Sequence, residues 1–239
     1  MIIKNNSKKL SFFHNLNIKY SIDEFFSLNM FNPLNKKYFN SYNLNIFTNK
    51  SFRTHVFGMG GSSLSSKLLG QFIDPDKIDK KLFFYENPSP MRIKNSLSEL
   101  KVGKKDKFIF ISKSGNTIET KYFLHVIIKI LKQKKINNYF KNFIFITEDK
   151  NNYMKKFARK NNIICFDHDP NIGGRFSIFS ITALLPLILI GFPLTRLLTS
   201  FKKAKALFLK NHKKLSKNIL LSIKYENKFN LTNVVGLSY

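Results

Sequence analysis

Apolar residues along this chain fall into short runs separated by helix-length stretches of mixed polarity. Before residue 53, apolar positions recur at helical spacing around residues 12–30 and 38–47, which predicts a helical N-terminal cap over 1–52. From residue 54 onward, the short apolar runs are typical of strands that are buried on both faces. The predicted strands are His55–Gly58, Leu82–Tyr85, Phe108–Ile111, Phe143–Thr147 and Ile163–Phe166.

Helix-length segments separate these runs. The predicted helices cover residues 63–72, 91–99, 117–133 and 151–161. A crossover helix between two parallel strands must return over one face of the sheet. The alternation therefore predicts an α/β fold, with a five-stranded parallel sheet between helices.

Three further features follow the fifth run. Residues 178–194 are strongly apolar, but two prolines and a glycine interrupt them, which favours a buried core helix over a membrane span of ~20 apolar residues. Residues 201–224 predict a long basic amphipathic helix, and residues 231–237 predict one more strand. We therefore expect an α/β domain over 53–195, followed over 196–239 by a long helix and the first strand of a truncated second domain.

The charge of the chain is strongly positive. The 239 residues carry a formal net charge of +27. Lysine, asparagine, isoleucine and phenylalanine are abundant together, arginine is scarce, and the lysine clusters are scattered, which is typical of solvated helix faces rather than of a nucleic-acid site. The single cysteine, Cys165, cannot form an internal disulfide, and the N-terminus lacks the apolar core of a signal peptide. We expect a cytoplasmic protein without a nucleic-acid or membrane partner.

Small and hydroxyl residues follow the first predicted strand, in residues 58–63, which we call loop A. Ligands of open α/β sheets bind at the carboxyl ends of the strands, where this loop lies. Ser62 and Ser63 could donate hydroxyl groups to a ligand there, or simply cap the following helix within a tight turn. The loop matches neither a Walker loop nor a dinucleotide-binding loop.

A second hydroxyl-rich stretch, residues 112–117, follows the third strand; we call it loop B. Its four hydroxyl or amide side chains precede the longest helix of the predicted sheet region, where exposed amides and the helix dipole favour an anion. Lys113 could add positive charge. The donors favour a phosphate monoester, and ordinary helix capping by Ser114 or Thr117 is the alternative.

A third candidate, residues 173–177, follows the fifth strand; we call it the Gly-Arg segment. Arg175 stands behind two glycines, so it could be directed into a cleft, where its planar guanidinium suits oxyanions. A structural salt bridge is the alternative role.

Three stretches together resemble the glucose-6-phosphate isomerase family: HVFGMGGSSLSSKLLG, FIFISKSGNTIETK and DPNIGGRFSIFSITALLPLILIGF. The resemblance covers residues 54–195 closely and implies a sugar isomerase (SIS) domain whose sheet has flavodoxin-like strand order. It also implies an isomerase of glycolysis and gluconeogenesis that interconverts glucose 6-phosphate and fructose 6-phosphate through an enediol. By the same resemblance the protein would be a homodimer, without cofactor or metal.

The resemblance also implies roles for individual residues. Arg175 matches the catalytic arginine of the family. Asn116 replaces a frequent threonine but keeps a hydrogen-bonding group. The implied substrate-binding and phosphate-binding residues are Gly61, Ser62, Ser112, Lys113, Ser114, Thr117 and Gly174.

The groups that move protons in this family are a glutamate, a histidine and a lysine of the second SIS domain and C-terminal tail. We therefore expect the chain to be incomplete and to lack the catalytic base. His168 follows the fifth strand but is interpreted as a solvated loop histidine, and Glu119 as a favourable charge at a helix start. The alternatives are a non-catalytic SIS module that senses sugar phosphates, an isomerase that also acts on mannose 6-phosphate, and a nucleic-acid binder.

Overall fold

The computed structural model describes residues 25–44, 47, 53–87 and 105–229, the last of these ranges with side chains up to residue 211. The first 24 residues of the predicted cap, the predicted helix over 91–99 and the predicted strand over 231–237 lie outside the described residues. Within the described part of the cap region, two short 3₁₀ helices cover Asn29–Leu34 and Lys36–Ser41.

Five parallel strands form the sheet at the centre of the first compact unit of the chain. The strands are β1 (Thr54–Gly58), β2 (Leu82–Tyr85), β3 (Lys107–Ile111), β4 (Phe143–Thr147) and β5 (Ile164–Asp167). Their order in the sheet is β2-β1-β3-β4-β5, with every neighbouring pair parallel. This order is flavodoxin-like. The predicted fold class is therefore confirmed.

The described helices pack around this sheet or follow it. They are α1 (Gly61–Ile73), α2 (Pro75–Lys81), α3 (Ile118–Gln133), α4 (Tyr153–Asn161), α5 (Ile181–Leu189) and α6 (Leu194–Phe229). The sequence prediction missed α2, which is short and highly charged. Its start is nevertheless well marked, because the Asp74 side chain accepts a hydrogen bond from the Lys77 amide and Pro75 fills the first turn.

Aromatic rings dominate the core between the sheet and α3. The Phe57 ring stacks on Tyr85 at a centroid distance of 4.5 Å and on Phe110 at 4.7 Å, and these residues are register partners on adjacent strands. Each such pair contributes about 0.5–1.5 kcal/mol beyond the burial of its area. From α3, Phe123 and Ile127 pack onto this layer four residues apart, so one helix face is buried.

The fifth strand differs from its prediction. We expected a strand buried on both faces over residues 163–166, but within the described residues β5 lies at the sheet edge and pairs with β4 alone. Ile164 is therefore 36% exposed and Cys165 is only partly buried. A run of apolar residues marks a strand without revealing how many neighbours it has.

The apolar stretch over 178–194 is divided among three elements, the last of which is α6, beginning at residue 194. Its beginning lies in a 3₁₀ helix over Gly174–Phe179, and α5 then follows from residue 181 with Pro186 inside it. The later helix α6 begins seven residues before its predicted start at 201 and forms, by itself, the described part of a second compact unit. Within the described ranges, no helix is both long enough and apolar enough to cross a membrane.

Candidate functional site

A cleft of about 430 Å³ opens at the carboxyl edge of the sheet. It lies where β1 and β3 end, and because these strands are neighbours, the loops that follow them meet. Loop A and loop B, predicted from separate stretches of sequence, therefore share one cavity. We call it the serine-lined cleft, and its lining residues are Met59, Ser62, Ile111, Ser112, Lys113, Ser114, Thr117 and Glu148.

Loop B presents paired hydroxyl groups to this cleft. The Ser112 and Thr117 side-chain oxygens lie 2.6 Å apart, and the Gly115 amide donates to Ser112 Oγ at 3.1 Å. Thr117 is the N-cap residue of α3, yet its side chain does not cap the helix. The first-turn amides of α3 are therefore left without a side-chain cap, which is the arrangement that favours an anion at a helix N-terminus.

The backbone of loop B depends on a glycine that the sequence analysis did not single out. Gly115 has φ +66°, and a Cβ on it would lie 2.2 Å from the Asn152 side chain. Asn152 in turn donates to the Thr147 hydroxyl and to the Glu148 carbonyl. This contact sets loop B against the loop after β4. A Ser-Gly-Asn turn after a strand was the available signal, but the partner comes from a distant part of the chain.

Asn116 also connects loop B to the chain that follows β4. Its Oδ1 accepts a hydrogen bond of 3.1 Å from the Tyr153 amide at the start of α4. The hydrogen-bonding group that replaces a threonine at this position therefore faces α4.

Lys113 is directed differently from its expected role as a phosphate ligand. Its Nζ donates to the Pro170 carbonyl at 2.9 Å and to the Ile172 carbonyl at 3.1 Å, and lies 3.5 Å from Glu148 Oε1. The stem of Lys113 lines the cleft, whereas its ammonium group bonds to the chain just before the Gly-Arg segment.

A carboxylate that the sequence analysis overlooked also lines the cleft. Glu148 is 6% exposed, and its pKa is held below the ordinary value by the hydrogen bond from Lys150 first, with help from Lys113. The glutamate is therefore ionised at neutral pH. Its two lysine partners offset the negative charge that it brings beside an anion site.

The two serines of loop A have different surroundings. Ser62 lines the cleft. Ser63 is fully buried, and its hydroxyl lies 2.7 Å from Glu86 Oε1 and 3.2 Å from the Gly58 carbonyl. Of the two serines considered from sequence, only Ser62 is a lining residue of the cleft.

Gly61 lies against the Gly-Arg segment. A Cβ on Gly61 would approach the Gly174 carbonyl oxygen to 2.5 Å and the Arg175 amide nitrogen to 2.8 Å. The Ser177 hydroxyl lies 3.2 Å from the Gly61 carbonyl and 2.8 Å from the Gly174 carbonyl. Gly61 therefore allows a close backbone contact between loop A and the Gly-Arg segment.

Arg175 itself is exposed and lies outside the lining of the serine-lined cleft. Its backbone nitrogen lies close to Gly61, the residue before Ser62, so Arg175 projects from a segment that packs beside the cleft. The structure thus brings five predicted residues to one cleft, namely Ser62, Ser112, Lys113, Ser114 and Thr117. Gly61 contacts Gly174 and Arg175 next to it.

The interpretation of His168 as solvated is wrong. The residue is 2% exposed, its Nδ1 lies 2.8 Å from the Asp169 carbonyl, and its pKa is lowered chiefly by burial. A carbonyl can only accept, so Nδ1 carries the proton of the neutral ring. His168 lines a different cavity of about 300 Å³, beside Tyr38 and Tyr42. Glu119 lies in the first turn of α3, as expected.

Metal ligands do not gather in the described part of the chain. Among those residues, no group of three or more histidine, cysteine, aspartate or glutamate side chains is placed to hold a metal ion. The polar groups of the cleft are mainly hydroxyl donors, which suit an oxyanion better than a cation.

A five-stranded parallel sheet with this strand order, and a hydroxyl-lined cleft at its carboxyl edge, define an α/β domain of flavodoxin-like topology with a cleft where such sheets bind ligands. The model of one family, described as phosphoglucose isomerase, matches residues 37–237. Because that match covers most of its length, this chain belongs to the phosphoglucose isomerase family.

Curated relatives agree with this assignment. The chain is 33% identical over 143 residues to a glucose-6-phosphate isomerase of Methanocaldococcus jannaschii, a match that covers 60% of this chain and 34% of the relative. It is 33% identical over 178 residues to a glucose-6-phosphate isomerase of Borreliella afzelii, covering 72% of this chain and 33% of the relative. The chain thus spans about a third of the length of these relatives.

Solved structures show the same fold. A crystal structure of a hypothetical protein from Thermus thermophilus matches with a TM-score of 0.58 and 26% identity, over 77% of this chain and 42% of that one. A glucose-6-phosphate isomerase from Chlamydia trachomatis matches with a TM-score of 0.50 and 25% identity, over 62% of this chain and 27% of that one.

Proposed function

We propose that this chain forms the phosphate-binding part of a glucose-6-phosphate isomerase, with a hexose 6-phosphate as its ligand. The observation that carries the proposal is the convergence of Ser62, Ser112 and Thr117 on one cleft at the uncapped start of α3. Hydroxyl donors and a helix N-terminus stabilise a phosphate group through short hydrogen bonds and the helix dipole.

In this proposal the phosphate enters between loop A and loop B. The Ser112 and Thr117 hydroxyls, which now bond to each other, would each turn a hydrogen toward a phosphate oxygen. The exchange of one neutral hydrogen bond for two that are charge-assisted favours the bound state. Ser62 and Ser114 supply further donors from the two sides of the cleft.

Arg175 is proposed to act on the sugar rather than on the phosphate. In the reaction a proton moves between C2 and C1 through an enediol, and negative charge develops on the oxygens. A permanent cation beside the cleft would stabilise that charge. In an active isomerase that contains this chain, Arg175→Ala should lower kcat by about 10²–10³ and leave KM nearly unchanged. A large rise in KM with normal kcat would instead assign Arg175 to the phosphate.

The wider organisation is also a proposal. We propose that residues 1–52 form a cap, 53–195 the SIS domain, and 196–239 the start of a second SIS domain. The proton-transferring groups would come from outside the serine-lined cleft, and the protein would act as a cytoplasmic homodimer. Limited proteolysis tests the boundaries, because preferred cleavage inside 54–194 rather than near 52 or 195 would contradict them.

Titration of the purified chain tests the central proposal. Glucose 6-phosphate should bind, and inorganic phosphate should compete with it for the site. Glucose, which lacks the phosphate, should neither bind nor compete. Binding of glucose and of glucose 6-phosphate with equal affinity would exclude the cleft as a phosphate site.

A sugar-phosphate-binding module without catalysis is the second candidate. It is favoured by the chemistry of the cleft, whose one carboxylate among the described lining residues, Glu148, is ion-paired with two lysines.

A further inference from the structure

The Gly-Arg segment is attached on both sides to the loops that line the cleft. Before it, the ammonium of Lys113 in loop B bonds to the Pro170 and Ile172 carbonyls at 2.9 and 3.1 Å. After the arginine, the Ser177 hydroxyl lies 3.2 Å from the Gly61 carbonyl of loop A. The orientation of this segment is therefore set by loops A and B together.

The ammonium group of Lys113 has little capacity left for a ligand. It has three N–H groups, two of which bond to the carbonyls of residues 170 and 172, while Glu148 Oε1 lies 3.5 Å from the nitrogen. A lysine that grips phosphate would need at least one N–H directed at the phosphate. Here the lysine bonds the chain instead.

The other end of Lys113 is fixed as well. Its carbonyl accepts hydrogen bonds from the Glu148 amide at 3.0 Å and from the Thr147 hydroxyl at 3.3 Å. On the far side of the cross-link, Ile172 is 1% exposed. The cross-link thus joins a hydrogen-bonded position of loop B to the chain at buried Ile172. A displacement of loop B would therefore reach the Gly-Arg segment through Lys113.

We propose that Lys113 is a positioning residue that couples phosphate binding in loop B to the placement of Arg175. Phosphate would fix loop B, the Lys113 cross-link would fix residues 170–172, and the guanidinium would then be held beside the sugar. This inference rests on the proposed phosphate site.

Hydrogen–deuterium exchange of the whole chain, followed by mass spectrometry, tests the coupling. In the wild type, glucose 6-phosphate and inorganic phosphate should both slow exchange in peptides that cover residues 168–179. In Lys113→Met, which keeps the stem and removes the ammonium, exchange in those peptides should rise about tenfold without ligand. Phosphate should no longer slow it, although the Kd for phosphate changes less than about threefold.

Two comparisons make the result specific. Lys113→Arg keeps a cation and its donors, so it should restore part of the slowing by phosphate. Thr117→Val removes a cleft hydroxyl, so it should weaken phosphate binding and leave exchange of residues 168–179 unchanged without ligand. Peptides that cover β4 should exchange alike in all variants.

Each contrary outcome has a distinct meaning. A tenfold loss of phosphate affinity in Lys113→Met with unchanged exchange would make Lys113 a phosphate ligand and overturn the inference. Faster exchange throughout Lys113→Met, with β4 included, would mean that Lys113 contributes only to the general stability of the domain. That result would also overturn the inference. If the wild type binds phosphate but residues 168–179 do not respond, the coupling alone fails. If the wild type binds no phosphate, the proposed function fails and the coupling with it.

Discussion

Single residues in this domain take their roles from their surroundings more than from their type. His55 is fully buried between the rings of Phe83 and Phe108, with Nδ1 3.2 Å from the Tyr85 hydroxyl. Its Nε2 lies 3.5 Å from Asp106 Oδ2, yet burial outweighs that attraction and lowers its pKa. His168, which lines the cavity beside Tyr38 and Tyr42, also has its pKa lowered by burial and is kept neutral.

The two buried histidines predict a pH dependence of stability. Their pKa values are lowered in the folded chain from 6.5, so the unfolded chain takes up protons first as the pH falls. The stabilisation is fully present above about pH 6.5 and is lost as the pH drops toward the folded pKa values. Urea unfolding should show a lower free energy of unfolding at pH 5.5 than at pH 7.5. In His168→Gln this difference between the two pH values should be smaller than in the wild type. An equal loss in both proteins would contradict this.

At the scale of elements, glycines decide how closely loop A and the Gly-Arg segment approach each other. A Cβ on Gly61 would meet the Gly174 carbonyl oxygen at 2.5 Å, whereas a Cβ on Gly174 would meet nothing within 4 Å. The two neighbouring glycines therefore differ in what they permit. Family resemblance gives both the same kind of role, because it concerns the ligand and not the backbone contact.

This asymmetry predicts different effects of one substitution. Gly61→Ala should destabilise the chain by about 1–3 kcal/mol, because backbone atoms must move apart to admit the methyl group. Gly174→Ala should change stability by less than about 0.5 kcal/mol, since the site is open. Thermal unfolding of both variants checks the difference. Equal melting temperatures would mean that loop A and the Gly-Arg segment do not pack as described.

Most of the strands could be predicted from sequence, since runs such as Phe143–Thr147 are apolar enough to leave one interpretation. The two loops could also be placed at one sheet edge, because parallel strands end on the same side. The direction of the Lys113 side chain could not be predicted, since its hydrogen-bond partners Pro170 and Ile172 are distant in sequence. Likewise the position of Thr117 at the helix start follows from the sequence pattern. That its hydroxyl bonds to Ser112 instead of capping the helix amides does not.

At the scale of the molecule, the described residues place no suitable general base in the proposed phosphate site. Glu148 lines the cleft, but its pKa is held low by Lys150 and Lys113, and His168 lies in another cavity. A general base works best with a pKa near the working pH, and neither group meets both this condition and the geometry. In the proposed complex, the cleft would therefore hold the phosphate without a base from the described residues beside the sugar carbons.

The purified 239-residue chain is accordingly expected to show no measurable interconversion of glucose 6-phosphate and fructose 6-phosphate. General acid–base catalysis typically contributes about 10²–10⁴ in rate, and the described residues of the cleft supply no group for it. A coupled assay on the rigorously purified chain measures this. Turnover that His168→Ala or Glu148→Gln abolishes would show that one of these residues is the base.

The central claim is that the serine-lined cleft binds the phosphate of a sugar phosphate, and a pair of threonines in α3 and its cap tests it most directly. Thr117 Oγ1 is in the cleft, whereas Thr120 Oγ1 is buried away from it and has no hydrogen-bond partner in the described structure. Calorimetric titration with glucose 6-phosphate should show affinity weakened about tenfold or more by Thr117→Val, since hydrogen bonds to a charged group contribute roughly 1.5–3 kcal/mol. Thr120→Val should bind like the wild type. Equal affinity in all three proteins would contradict the account.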